Sequence, residues 1–78
     1  MTLSTPLTNV FRENVATLLD KYGWTQSELA DEMGVTQGYI SQVLTGHRGV
    51  GLDAVDNFAK ALQVRPGDLI TKKLQNVG

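Results

Sequence analysis

The chain has 78 residues, which accommodates one small domain and leaves no room for a second. It contains no cysteine, so disulfides, thiolate metal sites and a cysteine nucleophile are excluded. The formal net charge of -1 argues mildly against a nucleic-acid partner, since such proteins usually carry a basic excess, and any case for that partner depends on where the charges lie.

The N-terminal segment MTLSTPL has neither the basic start nor the apolar run of a signal peptide. The apolar runs elsewhere are only a few residues long, too short to cross a membrane. We therefore expect a soluble intracellular protein with no membrane partner. Residues 1–7 are predicted to form a flexible N-terminal segment.

The first predicted helix runs from Thr8 to Tyr22. Its apolar residues recur at the spacing of one helical face, and they are Val10, Phe11, Val15, Leu18, Leu19 and Tyr22. Gly23 is placed to end this helix. Tyr22 and Trp24 are expected to pack against the start of the next helix, although an aromatic side chain can also stack on a base.

A second helix is predicted to start at Thr25. Thr25 and Glu28 have the spacing of a capping box, in which each side chain accepts a hydrogen bond from the other residue's backbone amide. Its apolar positions are Leu29, Ala30 and Met33, and its polar ones are Ser27, Glu28, Asp31 and Glu32. Gly34 is predicted to end this amphipathic helix.

A third helix is predicted after Thr36, a candidate N-cap, and is expected to end at Gly46. Its apolar residues are Ile40, Val43 and Leu44. A glycine-containing loop follows, and Leu52, Val55, Phe58, Ala59 and Leu62 then mark a fourth helix. Pro66 suits the first turn of a final helix with Leu69 and Ile70 as its apolar contacts.

The short connection between the second and third helices predicts a helix-turn-helix over residues 25–46. Such a motif needs a small residue where the two helices approach and a left-handed position in the turn, which Ala30 and Gly34 provide. The third helix would then project an uncharged row, consisting of Gln37, Gly38, Ser41 and Gln42. Glutamine can pair in two places with adenine, so this row suits base reading, although neutral polar residues also occur on ordinary surfaces.

The stretch QSELADEMGVTQGYISQVLTG resembles the helix-turn-helix of the lambda-repressor-like family, the Cro/cI and Xre type of phage and bacterial regulators. The resemblance rests on Gln26, Ala30, Gly34, Ile40, Val43 and Gly46, and the flanking helices extend it over roughly Val10 to Ile70. It implies an all-α, compact five-helix domain over residues 8–74, followed by a tail at 75–78. It also implies that the third helix lies in the major groove and that dimers bind palindromic half-sites.

The resemblance also implies the roles of individual residues. The positions that match base contacts are Gln37, Gly38, Ser41 and Gln42. The positions that match phosphate contacts are Gln26, Thr36, Tyr39, Thr45, His47 and Arg48. Gly38 lacks a side chain where relatives often carry a polar reader, so specificity there is expected to be weak or to pass to Tyr39 or water. No lysine or arginine precedes Val10, so the basic arm of some relatives has no equivalent.

The C-terminal helix offers more apolar surface than its own docking requires. A dimer seam formed by Leu69, Ile70 and Leu74 is one interpretation, and simple core packing is the other. We favour the dimer because one short helix with three or four reading residues supplies too little affinity for a regulator.

Two functional hypotheses follow from the sequence. The first is a sequence-specific, dimeric regulator of transcription that binds double-stranded DNA in the bacterial or phage-infected cytoplasm. The second is an antitoxin or accessory module whose main partner is another protein that meets the acidic Glu28, Asp31 and Glu32. An enzyme is not expected, because one histidine and no cysteine leave no nucleophile-and-base pair to propose, and neither a metal nor a cofactor is expected.

Overall fold

The computed structural model describes residues 5–71, with side chains from residue 8 onward. The predicted all-α architecture is confirmed over this range. Its five helices, in chain order, are α1 (Thr5–Tyr22), α2 (Gln26–Met33), α3 (Gln37–Thr45), α4 (Leu52–Leu62) and α5 (Pro66–Leu69). Within residues 5–71 no helix combines the length and the hydrophobicity that a membrane crossing requires.

The start of α1 differs from the prediction. The helix begins at Thr5, three residues before the predicted start at Thr8, so the segment expected to be flexible overlaps the helix at residues 5–7. Pro6 is the second residue of the helix, where a missing backbone N–H removes no helical hydrogen bond. The apolar pattern begins only at Val10, and periodicity alone therefore placed the start of this helix too late.

The start of α2 is fixed by the predicted capping box. The Thr25 hydroxyl oxygen accepts a hydrogen bond from the Glu28 backbone N–H at 3.1 Å, and Glu28 Oε1 accepts one from the Thr25 N–H at 2.8 Å. At the start of α3, the Thr36 hydroxyl oxygen accepts from the Tyr39 N–H at 3.1 Å. These bonds satisfy amides that would otherwise lack a partner, and they set where each helix of the motif begins.

Both helices of the motif end at a glycine in the left-handed conformation. Gly34 has φ 71° and closes α2, while Gly46 has φ 87° and closes α3. A residue with a Cβ is strained at such angles, so glycine allows the chain to reverse within a short turn. The turn between α2 and α3 thus comprises only Gly34, Val35 and Thr36.

The core lies where α1, the motif and α4 meet. Phe11 of α1 and Phe58 of α4 pack edge to face, with ring centroids 5.2 Å apart. The buried residues around this pair are Val15, Leu18, Leu19, Leu29, Ala30, Ile40, Val43, Val55, Ala59, Leu62 and Leu69. Because Ile40 and Val43 are completely buried, α3 is held with one face against the core.

The burial of Leu69 corrects its assignment to a dimer seam. Its side chain is 0% exposed within a single copy of the chain, so it belongs to the core and offers no surface to a second copy. Ile70 is half-buried and retains some accessible surface. Leu74 and the predicted tail at 75–78 lie outside the described residues.

A buried asparagine joins α1 to the end of α5. Asn14 is 0% exposed, and its side-chain Nδ2 donates to the backbone carbonyls of Asp68 at 3.2 Å, Leu69 at 3.0 Å and Thr71 at 2.6 Å. Its Oδ1 has no hydrogen-bond partner among the described residues. The asparagine supplies donors to carbonyls that a four-residue helix leaves unpaired.

The two aromatic residues before α2 pack against each other, and Tyr22 is exposed rather than packed under the capping box as predicted. The Tyr22 and Trp24 rings meet edge to face with centroids 5.7 Å apart, and Trp24 is half-buried against the core. The Tyr22 hydroxyl donates to the Leu62 carbonyl at 2.8 Å, which ties the end of α1 to the end of α4.

Candidate nucleic-acid interface

The exposed face of α3 carries the residues predicted to read bases. Gln37, Gly38 and Gln42 are exposed, whereas Ser41 is half-buried at the edge of this face. On the opposite face Ile40 and Val43 are completely buried, so α3 cannot rotate without opening the core. The fold therefore presents a fixed, uncharged, hydrogen-bonding surface.

Gly38 occupies a position where packing does not require glycine. A Cβ built there would meet only the Thr36 hydroxyl, at 3.9 Å, which is ordinary contact, and its φ is not left-handed. Without a side chain at Gly38, a partner could approach the backbone of the N-terminal half of α3 closely.

Hydrogen bonds organise the C-terminal end of α3. The Thr45 hydroxyl donates to the Ser41 carbonyl at 2.9 Å and lies 2.8 Å from His47 Nδ1. The His47 backbone N–H donates to the Gln42 carbonyl at 2.9 Å. Thr45 and His47, both predicted to contact phosphate, are thus exposed side by side immediately after the exposed row.

Arg48 contacts two other predicted site residues. Its guanidinium lies over the Tyr39 ring, 5.2 Å from the centroid, and its Nε donates to Gln42 Oε1 at 3.2 Å. A cation over an aromatic face is attracted by the negative charge density of the ring. A residue predicted to contact phosphate is therefore bonded directly to one predicted to contact bases.

Tyr39 combines a surface position with a packing role. Its ring stacks on Phe58 at a centroid distance of 6.4 Å and an interplanar angle of 29°, and the residue is half-buried. Since the Tyr39 ring packs against the core, its position is fixed, and it can hold the Arg48 guanidinium in place.

Arg12 lies at the same end of α3, and the sequence did not identify it as a candidate site residue. A Cβ built on Gly46 would lie 3.5 Å from the Arg12 guanidinium carbon, so this α1 side chain reaches the glycine that closes α3. Arg12 also donates a hydrogen bond to Asn9 Oδ1. No local signal marks this position, because the proximity arises from the packing of α1 on α3.

Gln26 is the first residue of α2 and is half-buried. It follows the Thr25 cap directly, at the end of the helix where backbone amides and the positive end of the dipole point outward. The structure thus places Gln26 where an anionic group would be favoured electrostatically.

The acidic residues of the motif occupy a different region from Arg12 and Arg48. Glu28, Asp31 and Glu32 are exposed along α2 and border shallow depressions beside Trp24 and against α4. Arg12, His47 and Arg48 gather at the end of α3 instead. The near-neutral net charge consequently hides a local concentration of arginine at the end of α3, away from these three carboxylates.

The described residues contain no group of three or more His, Asp or Glu side chains placed to hold a metal ion. The chemistry available at the end of α3 is hydrogen bonding by amides and hydroxyls together with the charge of the arginines.

Comparison with known proteins gives three findings. A model of the helix-turn-helix family (HTH_3) matches residues 15–69. Over 52 residues the chain is 40% identical to the control protein C.BamHI of Bacillus amyloliquefaciens, and the match covers 67% of this chain and 64% of that relative. The fold is similar to the crystal structure of the hypothetical transcription factor NHTF from Neisseria, with a TM-score of 0.82 and 26% identity over 96% of this chain and 92% of that one.

Proposed function

The chain belongs to the helix-turn-helix (HTH_3) family, and on that basis we propose that it is a sequence-specific regulator of transcription that binds a palindromic operator as a dimer. In this proposal α3 enters the major groove of double-stranded DNA. The name of the relative C.BamHI, a control protein, supports a regulatory role, and the cytoplasm of a bacterium or an infected bacterium is the corresponding location.

The observation that carries the proposal is the two-sided character of α3. One face is locked into the core through Ile40 and Val43, while the other exposes Gln37 and Gln42 without any charged side chain between them. A helix held in this way can present amide groups to base edges with little loss of backbone freedom on binding.

The proposed contacts divide into two classes. Base edges are contacted by Gln37, Ser41 and Gln42, and the backbone at Gly38 approaches the groove closely. Phosphates are contacted by Gln26, Thr36, Tyr39, Thr45, His47 and Arg48, to which the structure prompts us to add Arg12. The phosphate contacts position α3, and the base contacts provide the specificity.

Dimerisation remains part of the proposal on energetic grounds. One helix of nine residues reaches only a few base pairs, and two copies on a symmetric site roughly add their contact energies. Ile70 is the described residue still proposed for the seam, because its side chain is only half-buried. Leu74 is proposed on sequence grounds alone.

Selection of bound duplexes from a random pool tests this proposal. The purified chain would be mixed with the pool at about 150 mM salt, where surface charges are screened over about 8 Å, and the retained DNA sequenced. We expect enrichment of a two-fold symmetric motif with half-sites about one helical turn apart. Enrichment of an asymmetric motif would refute the dimer on a palindrome, and no enrichment would refute sequence-specific binding.

A protein partner is the second candidate, and the acidic surface of α2 favours it. Glu28, Asp31 and Glu32 are exposed next to the partly buried Met33 and Trp24, so charge and apolar surface occur together. Purification from the native host would distinguish this function, since an antitoxin or accessory module would retain a stoichiometric second protein. Recovery of the chain without such a protein would contradict it.

A further inference from the structure

The hydrogen bond between Arg48 and Gln42 determines how the Gln42 carboxamide is oriented. Arginine carries only donors, so the Gln42 atom 3.2 Å from Arg48 Nε has to be the oxygen and cannot be the nitrogen. Within the described residues the Gln42 side chain makes no other hydrogen bond. Its NH₂ group therefore remains available to an incoming partner.

This orientation is supported from the core outward. Phe58 is completely buried, the Tyr39 ring stacks on it, and the Arg48 guanidinium lies over the Tyr39 ring. Arg48 is thus held by an aromatic contact as well as by Gln42, although it is exposed. The carboxamide is oriented before any partner arrives, which lowers the conformational cost of binding.

We propose that Arg48 is a specificity-determining residue, because it makes Gln42 a hydrogen-bond donor and so selects guanine over adenine at the base pair that Gln42 reads. This inference rests on the proposed DNA-binding function. It gives Arg48 a role in base selection in addition to any contact with phosphate.

The major-groove edges of the two purines explain the selection. Adenine offers an acceptor at N7 and a donor at N6, and a glutamine free to use both its oxygen and its nitrogen matches that pair. In this chain one lone pair of Gln42 Oε1 is already engaged by Arg48. The second lone pair lies beside a positive guanidinium, where another donor such as the adenine amino group is disfavoured.

Guanine presents acceptors at both N7 and O6. The Gln42 NH₂ group and the neighbouring guanidinium supply donors only, which suits two adjacent acceptors. The same glutamine without Arg48 regains its acceptor and with it the ability to pair in two places with adenine.

Duplex selection with three variants tests the inference. Gln42→Ala identifies the base pair in question, because base frequencies flatten there and nowhere else. Arg48→Ala removes the bond that orients the amide. Arg12→Ala is the matched control, since it removes an arginine from the same end of α3 without touching Gln42.

At the position identified by Gln42→Ala, the wild-type chain should prefer guanine. In Arg48→Ala the guanine-to-adenine ratio should fall about tenfold, which corresponds to about 1.4 kcal/mol. In Arg12→Ala this ratio should stay at the wild-type value even if the affinity falls. An unchanged ratio in Arg48→Ala, or a wild-type preference for adenine, overturns the inference while leaving the DNA-binding function intact.

A measurement on the free protein further separates a failure of the inference about Arg48 from a failure of the proposed DNA-binding function. The side-chain amide resonances of Gln42 should move in Arg48→Ala and stay in place in Arg12→Ala, with no DNA present. If the Gln42 side-chain amide resonances do not move in Arg48→Ala, the contact proposed to orient Gln42 is refuted directly. A wild-type chain that selects no duplex overturns the proposed function, and the base preference inferred from it falls at the same time.

Discussion

Substitution of Asn14 by aspartate should destabilise the fold by removing donors without changing shape. The wild-type Nδ2 carries two hydrogens that serve three backbone carbonyls between 2.6 and 3.2 Å away. Asn14→Asp replaces this group by an oxygen facing the same carbonyls. Each buried acceptor left unsatisfied costs about 1 to 3 kcal/mol, so the loss of two donors should cost roughly 2 to 6 kcal/mol.

That loss is large for a chain of 78 residues, whose total stability is expected to be roughly 4 to 12 kcal/mol. It should lower the unfolding temperature by about 10 to 50 °C. The effect should also depend on pH. Burial and the facing carbonyls raise the pKa of the introduced carboxyl in the folded state, so the folded variant binds more protons than the unfolded one, and its stability falls as pH rises above about 4.

Urea unfolding at pH 4 and pH 7 measures this difference. Asn57→Asp is the matched control, because it makes the same chemical change at an exposed position of α4 and should alter the stability by less than about 0.5 kcal/mol. The difference between Asn14→Asp and the wild type should be larger at pH 7 than at pH 4. Unfolding of Asn14→Asp at the wild-type urea concentration at both pH values would refute the structural role assigned to Asn14.

Three further predictions concern the helix-turn-helix and the arginine that packs beside it. Gln37→Ala should cost roughly 1 to 3 kcal/mol of binding free energy to the selected operator and relax specificity at one base pair. Titration against operators altered one position at a time measures this, and a uniform loss of affinity for every sequence would show that Gln37 reads no base. Arg12→Ala should weaken binding to all sequences and reduce the slope of log affinity against log salt by about one unit, whereas an unchanged slope would remove Arg12 from the phosphate contacts. Gly34→Ala should destabilise the fold by roughly 1 to 2 kcal/mol because of the positive φ at this position, whereas Gly38→Ala should stabilise it by roughly 0.5 to 1 kcal/mol. Thermal unfolding measures both changes, and a shift of the unfolding temperature in the same direction for the two variants would contradict this account.

The elements that the sequence predicts well are those fixed by neighbouring residues. The Thr25 and Glu28 capping box and the left-handed Gly34 act within a few positions of chain, so the bounds of α2 followed from the letters alone. Helical spacing likewise identified Ile40 and Val43 as the buried face of α3. These signals are local, and the physics behind them needs no knowledge of the rest of the fold.

The features that the sequence did not reveal depend on residues far apart in the chain. Asn14 and Leu69 are separated by 55 positions, and nothing near either one indicates their hydrogen bond. Arg12 meets the end of α3 only after α1 has packed on it. The sequence favours a dimer seam for Leu69 because an apolar residue looks the same in a core and in an interface, and only its burial in the folded chain distinguishes them.

The single tryptophan gives the protein a built-in optical reporter. Trp24 immediately precedes the capped start of α2, is half-buried, and lies close to the Tyr22 ring, from which it can receive excitation energy. Its emission therefore follows the junction between α1 and the helix-turn-helix, on the side of the motif that begins with Gln26. A change at the start of α2 can thus be followed by the fluorescence of Trp24 in the unlabelled protein, without a dye and without relying on a signal from DNA.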